Sequence, residues 1–284
     1  MEYRNRLQEF GAGPSDAEIA GILARAAKLA AGNANSGVYK TCMSCLDLTT
    51  LGPSDNEESV AAFAKKALEM ATGRRDVPMV ASICVYPNFV DTVGLAVGDS
   101  GVRITSVAGG FPSAQTYLEV KMLEAAMAVE NGADEIDVVM NPGQIIAGRY
   151  EEAANEIETI RGEIGEDVTL KVIIEAGELP SRGHVRTASL LAMMAGADFV
   201  KTSTGKGSVG ATPEAAAEMC CAIRHYTAST GRKVGFKAAG GIKTAYDAVL
   251  YYSIVETALG REWLDPSLFR IGASSLASDL LTNI

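Results

Sequence analysis

Residues Thr169 to Thr204 read TLKVIIEAGELPSRGHVRTASLLAMMAGADFVKTST. Two short β-branched or apolar runs, Thr169 to Glu175 and Phe199 to Thr204, enclose a stretch with helix-like spacing of Ala, Leu and Met. That stretch closes on Ala195-Gly196-Ala197-Asp198, the pattern of a glycine-terminated helix feeding a strand. Strand, helix and strand in this order make one unit of a parallel sheet covered by helices.

The same unit repeats outward in both directions. Further strand-like runs are Cys42 to Thr49, Met79 to Tyr86, Arg103 to Val107, Glu135 to Met140, Lys233 to Ala238 and Phe269 to Ala273. Between them, Tyr117 to Val129 and Pro213 to Ile223 carry helical spacing, the second with Thr212 as cap and Pro213 in its first turn. Asn131-Gly132-Ala133-Asp134 and Thr230-Gly231 repeat the glycine stop. Eight units at spacings of roughly 25 to 35 residues fit one closed (β/α)₈ TIM barrel better than an open sheet. Ser15 to Ala31 reads as an added helix capped by Ser15. The expected division is a helical extension over 1–40 and a barrel over 41–284.

Bulk composition narrows the function. The 284 residues are 48% hydrophobic and 21% charged, ample material for a large core. A formal net charge of −10 without a Lys/Arg stripe excludes a nucleic-acid binder of the usual kind and argues against anionic membrane surfaces. No run of 18 apolar residues predicts a membrane span. Five cysteines, Cys42, Cys45, Cys84, Cys220 and Cys221, suggest reduced thiols and a cytoplasmic setting.

Four consecutive strands carry charges that buried strands should not have. They are Glu135-Ile-Asp137, Lys171 with Glu175, Lys201, and Lys237. If neighbouring runs are neighbouring strands, three lysines share one barrel interior with Asp137 and Glu175, and each charge needs a partner. A buried ion pair that only satisfies itself is the plain alternative. Crowded cations, however, depress a lysine's pKa and free its amine as a nucleophile toward a carbonyl. A metal route would need several ligands, and His184 and His225, both in predicted helices, are the sole histidines.

Three small-residue segments follow the late strands: Gly205-Lys206-Gly207-Ser208, Gly240-Gly241 and Gly272-Ala273-Ser274-Ser275. Any one would serve as a tight turn. Together, at one corner of a barrel, they read as a phosphate cradle. Gly205 to Gly210 also spells a dinucleotide fingerprint, but the next strand offers Lys237 where that motif wants an acid. Cys42-x-x-Cys45 spells a redox motif inside a predicted strand, so buried thiols are expected, with Cys84 packing or lining the site. Met122, Met127, Met193 and Met194 are core candidates.

From about Cys45 onward the chain resembles the deoxyribose-phosphate aldolases. The resemblance is carried by Asp47-Leu-Thr-Thr-Leu51, Glu135-Ile-Asp-Val-Val139, Leu170-Lys-Val-Ile-Ile-Glu175, Phe199-Val-Lys-Thr-Ser-Thr-Gly-Lys206, Gly235-Phe-Lys-Ala-Ala-Gly-Gly241 and Gly272-Ala-Ser-Ser275. It implies a metal-free, cofactor-free class I aldolase of carbohydrate and deoxyribonucleotide breakdown. Such an enzyme reversibly cleaves 2-deoxy-D-ribose 5-phosphate to D-glyceraldehyde 3-phosphate and acetaldehyde. By match to the motifs, Lys201 forms the Schiff base, Lys237 lowers its pKa, and Asp137 relays protons. Asp47 and Lys171 line the site and orient the substrate hydroxyls and the proton relay, Thr204 binds substrate, and Gly205, Lys206, Gly240, Gly241, Ser274 and Ser275 match the phosphate-binding positions. A homodimer is an assembly the resemblance allows. Many bacterial members end in a tail tyrosine; here Leu281-Thr-Asn-Ile284 carries none, and Tyr251 and Tyr252 fall in a predicted helix. Ala238 stands where many members have Pro. Another lysine-dependent aldolase or transaldolase, and a non-catalytic sugar-phosphate-binding barrel, remain as alternatives.

Overall fold

The computed structural model describes residues 2–74 and 76–284. Eight parallel strands close into one barrel in sequence order: β1 Leu46–Thr49, β2 Ser82–Val85, β3 Arg103–Ala108, β4 Glu135–Val139, β5 Thr169–Ile173, β6 Phe199–Lys201, β7 Gly235–Ala239 and β8 Phe269–Ala273. Three helices precede β1: α1 Glu2–Glu9, α2 Asp16–Asn33 and α3 Ser36–Ser44. The outer ring follows as α4 Glu57–Glu69, α5 Val90–Val97, α6 Leu118–Glu130, α7 Pro142–Ile146, α8 Tyr150–Ile164, α9 Arg182–Met194, α10 Pro213–Thr230, α11 Ala245–Leu259 and α12 Leu276–Asn283. This is the expected (β/α)₈ barrel.

The added helices cover the ring from outside. Helix α2 buries Ile19, Ile22, Ala26 and Ala30 against α11 and α10, while α1 packs on α8 and α9. Ser15 caps α2 by accepting the Glu18 N–H, and Thr212 caps α10 by accepting that of Ala215. Helix α3 runs across residue 40 and corrects the first expected strand. Cys42 lies inside this helix and Cys45 at its end, so the strand begins only at Leu46. Its buried residues Val38, Cys42 and Met43 follow a helical period, which so short an apolar run does not reveal on its own. All five cysteines are buried and free. Met193 is buried and Met122 and Met194 are half-buried, but Met127 is 51% exposed on α6, contrary to a core role.

The Gly-Ala-Asp phrases do two jobs. Gly132 and Gly196 turn the chain at positive φ after α6 and α9. The aspartates then take backbone N–H groups from the preceding strand: Asp134 that of Ile104 at 2.8 Å, and Asp198 that of Leu170 at 2.9 Å. Asp198 is further held by Arg161 and Arg232.

Period-two alternation sets what faces the barrel axis. The register pairs Asp137 with Lys171 and Lys201 with Lys237, so charges on adjacent strands stand level. Glycine makes room for the large inward side chains. A Cβ on Gly235 would lie 2.3 Å from the Phe199 ring, and one on Gly272 would lie 3.2 Å from Cε of Lys237.

Two glycine substitutions should therefore act in opposite directions. Gly235→Ala overpacks the barrel and should cost about 1–3 kcal/mol. Gly162→Ala, in α8 with open space around its Cα, should stabilise by about 0.5–1 kcal/mol. Denaturant midpoints at constant slope check both; equal midpoints for the two variants would refute the packing argument.

Candidate active site

Asp137, on β4, is fully buried, and three lysines converge on it. Lys171 Nζ lies 2.8 Å from its Oδ1, and Lys201 Nζ and Lys237 Nζ each lie 2.7 Å from its Oδ2. Below this layer is a second one. Lys237 also pairs with Asp47 at 2.5 Å, and Lys171 with Glu135 at 2.6 Å. Arg270 of β8 closes the base, reaching Asp47 at 2.5 Å and Glu135 at 2.8 Å. Ser82 donates to Asp47, and Thr105 to Glu135, satisfying further carboxylate lone pairs.

Three buried carboxylates thus face four buried cations: Asp47, Glu135 and Asp137 against Lys171, Lys201, Lys237 and Arg270. Arg103, exposed, also reaches Glu135 at 3.3 Å from outside; the buried groups by themselves balance when one lysine is neutral. Two ammonium groups on the same oxygen stand no more than about 5 Å apart, and at an effective dielectric of about 20 they repel by at least about 3 kcal/mol. Burial pushes Lys201 below the ordinary lysine value, and the Lys237 charge adds to that push, against the pull of Asp137. Burial acts in the same direction on Lys237, but Asp137 and Asp47 on either side overcome it and raise its pKa. Burial opposes ionisation of Asp137 as well, yet Lys171, Lys201 and Lys237 hold its carboxyl well below the usual range. Lys201 is the group with room to be the neutral amine.

Above the stack opens a cavity of about 270 Å³. Lys201 lies in its lining, 4% exposed, while Asp137, Lys171 and Lys237 are sealed beneath. Its walls are Thr49 and Leu51 at the end of β1, Thr204 to Lys206 after β6, Ala239 to Lys243 from the end of β7, and Gly272 to Ser274 from the end of β8. Gly205, Gly240 and Gly241 have φ of 77°, 89° and 82°, which favours glycine. The β6 and β7 loops touch backbone to backbone: a Cβ on Gly210 would lie 2.4 Å from the Gly240 carbonyl oxygen. Lys206 Nζ reaches across the mouth to the Leu51 carbonyl at 2.5 Å.

A family model of DeoC/LacD family aldolases matches residues 41–276. The chain belongs to this family. It is an aldolase, a carbon–carbon lyase. The human deoxyribose-phosphate aldolase is 44% identical over 245 residues, which is 83% of this chain and 77% of that protein. The mouse deoxyribose-phosphate aldolase is 46% identical over the same shares. Among solved structures, deoxyribose phosphate aldolase from Aeropyrum pernix, described as a unique tetramer, superposes with a TM-score of 0.68. It is 27% identical, over 95% of this chain and 97% of that one.

The aldolase brings together most of the residues its sequence nominates. Lys201, Thr204, Gly205, Lys206, Gly240, Gly241 and Ser274 line one cavity, with Asp137 and Lys237 directly under Lys201. Ser275 stands at the N-cap of α12, beside that lining. Asp47 and Lys171 are both fully buried in the ionic stack rather than in the cavity lining, with Lys171 on Asp137 itself. Glu175 differs from expectation. Rather than pairing with a lysine, it accepts hydrogen bonds from Thr204. Cys84 packs with Leu51 and Val107, and burial pushes its thiol up. His184 bonds Ser181 and His225 sits against Arg186, both on outer helices. Tyr251 and Tyr252 lie on α11 as expected.

Sequence reasoning missed Arg270, Lys243 and the hydroxyl pair Ser82 and Thr105. Arg270 carried the same signal as the lysines, a charge inside a buried strand. Lys243 carried none.

The charge balance gives a double-mutant test. With Lys201 neutral, Asp137→Asn leaves three cations against two carboxylates and should cost about 3–5 kcal/mol. Adding Lys237→Met removes the surplus cation, so that double variant should be more stable than Asp137→Asn alone, whereas adding Lys201→Met should give no such recovery. Urea unfolding measures all three; equal recovery from Lys201→Met would show that Lys201 is the charged lysine.

Proposed function

We propose that this aldolase cleaves 2-deoxy-D-ribose 5-phosphate, reversibly, to D-glyceraldehyde 3-phosphate and acetaldehyde through an imine on Lys201. The observation that carries the assignment is that Lys201 is the one lysine of the buried trio that both lines the cavity and is pushed toward its neutral form. Lys171 and Lys237 each hold two or more carboxylates and lie sealed below.

The chemistry follows from these positions. The neutral Lys201 amine adds to the aldehyde carbon, and loss of water from the carbinolamine gives a protonated imine. That cation is an electron sink: the proton leaves the C3 hydroxyl, the C2–C3 bond breaks, and its electron pair becomes the enamine. Glyceraldehyde 3-phosphate departs, C2 is protonated, and water releases acetaldehyde and the amine. Asp137 Oδ2, at 2.7 Å from Lys201, is placed to exchange protons with the nitrogen. Such general acid–base help contributes roughly 10²–10⁴-fold. Lys237, held as a cation by Asp137 and Asp47, keeps Lys201 unprotonated between turnovers.

The phosphate belongs at the other end of the cavity. The β6, β7 and β8 loops present glycine backbone there, with Lys206 and Lys243 beside it and α12 starting at its rim. The cavity is slightly below the roughly 300–1,000 Å³ typical of drug-sized ligand sites, which suits a small sugar phosphate.

Borohydride reduction in the presence of acetaldehyde or deoxyribose 5-phosphate should leave a stable adduct that peptide mass spectrometry maps to Lys201. Trapping should rise with pH and level off below the ordinary lysine value of 10.5, since the neutral amine is the attacking form. Lys201→Leu should abolish turnover with the fold retained. An adduct on Lys171 or Lys237 would reassign the roles, and no adduct on any lysine of the folded protein would favour a binding barrel. A strong chelator should leave turnover unchanged; a loss that zinc restores would overturn the lysine route.

A further inference from the structure

Glu175 follows β5 in the left-handed region, at φ 47° and ψ 58°, which side chains with a Cβ adopt only at a cost. Among the described residues other than glycine, Ala114 is its sole companion at positive φ. The carboxylate is 6% exposed and turns onto the loop after β6. Its Oε2 accepts the Thr204 hydroxyl at 2.5 Å, and the Thr204 N–H lies 3.2 Å from the same oxygen. Behind it, the turn Ala176–Glu178 presses on the same loop: a Cβ on Gly177 would lie 2.6 Å from the Val209 carbonyl oxygen. Strain, burial and close packing all converge on holding Thr204.

A hydroxyl has one proton and two lone pairs. The Thr204 proton goes to Glu175, and one lone pair takes the Lys206 N–H at 3.1 Å. What remains for the cavity that Thr204 lines is a lone pair. We propose that Glu175 is a positioning residue that fixes the Thr204 hydroxyl as an obligate acceptor at the cavity wall, so that the site selects a sugar phosphate presenting a hydroxyl proton there. Without Glu175 the hydroxyl is free to turn and donate, and the buried Thr204 N–H loses its acceptor. The proposal rests on the sugar-phosphate reading above.

The test separates the two. Glu175→Gly keeps the left-handed backbone accessible, because glycine adopts it freely, and removes the side chain with its carboxylate. Trapping of acetaldehyde on Lys201 uses no sugar hydroxyl and should proceed at the wild-type rate. For deoxyribose 5-phosphate, kcat/KM should fall by about 10- to 100-fold. Glu175→Gln, which retains an acceptor oxygen, should recover part of that loss. Thr204→Val should show a similar loss, and the Glu175→Gly/Thr204→Val double variant should be no worse than the poorer single. Wild-type kcat/KM in Glu175→Gly, multiplicative losses in the double variant, or acetaldehyde trapping that falls in step with cleavage would each overturn the positioning role. A wild-type protein that traps no acetaldehyde at Lys201 removes the reading beneath the proposal, and the proposal with it.

Discussion

One carboxylate oxygen, Oδ2 of Asp137, holds two lysine nitrogens at 2.7 Å beneath the floor of the cavity. Such burial is unfavourable for every ion taken alone, since desolvation costs several kcal/mol per charge. It becomes tolerable because the barrel surrounds each charge with others of opposite sign and with hydroxyl donors. Arg270 anchors the bottom, Asp47 and Glu135 link it upward, and Asp137 ends the stack under the cavity. The arrangement is unequal by construction. Lys237 sits between two carboxylates, whereas Lys201 shares one and has the cavity on its other side. Identical side chains on adjacent strands therefore acquire opposite tendencies, one held as a cation and one pushed toward the free amine.

That asymmetry depends on steric detail as much as on charge. Lys201 and Lys237 are paired in register, so only a difference in their neighbours can tell them apart. Gly272 on β8 leaves the space through which the Lys237 stem runs, and Gly235 leaves the space that the Phe199 ring fills below Lys201. Either position with a larger residue would move a lysine relative to Asp137. At hydrogen-bond distances a shift of a few tenths of an ångström alters a buried pair measurably.

Much of this was legible in the sequence, for identifiable reasons. The lysines and Asp137 stood out because charge inside a β-branched run contradicts the apolar composition of a buried strand. The glycine segments stood out because three of them followed successive late strands. The first strand was misjudged because Cys42 to Cys45 is apolar on either reading, and a run that short does not distinguish helix from strand. Asp47 and Lys171 were nominated for the substrate hydroxyls and the proton relay; a residue list carries no depth, and the structure seals both, with Lys171 directly on Asp137. Glu175 was paired with lysines because both were charged. Its left-handed backbone, which turns the carboxylate onto Thr204, leaves no mark in the sequence.

The division between sealed stack and open rim accounts for how one barrel supports two kinds of recognition. The stack lies within the strands, where the backbone ladder fixes each side chain. The imine chemistry proposed for Lys201 needs that precision, because proton exchange fails when groups separate beyond hydrogen-bond reach. The rim is built from loop backbone, where Gly205, Gly210 and Gly240 let the chain fold close upon itself. The anion site proposed there draws on many weak donors, so no single one has to be placed as exactingly as Lys201. Thr204 joins the two regions: it lies three residues beyond Lys201 on the same chain, and its hydroxyl is fixed by Glu175 from the neighbouring strand's end.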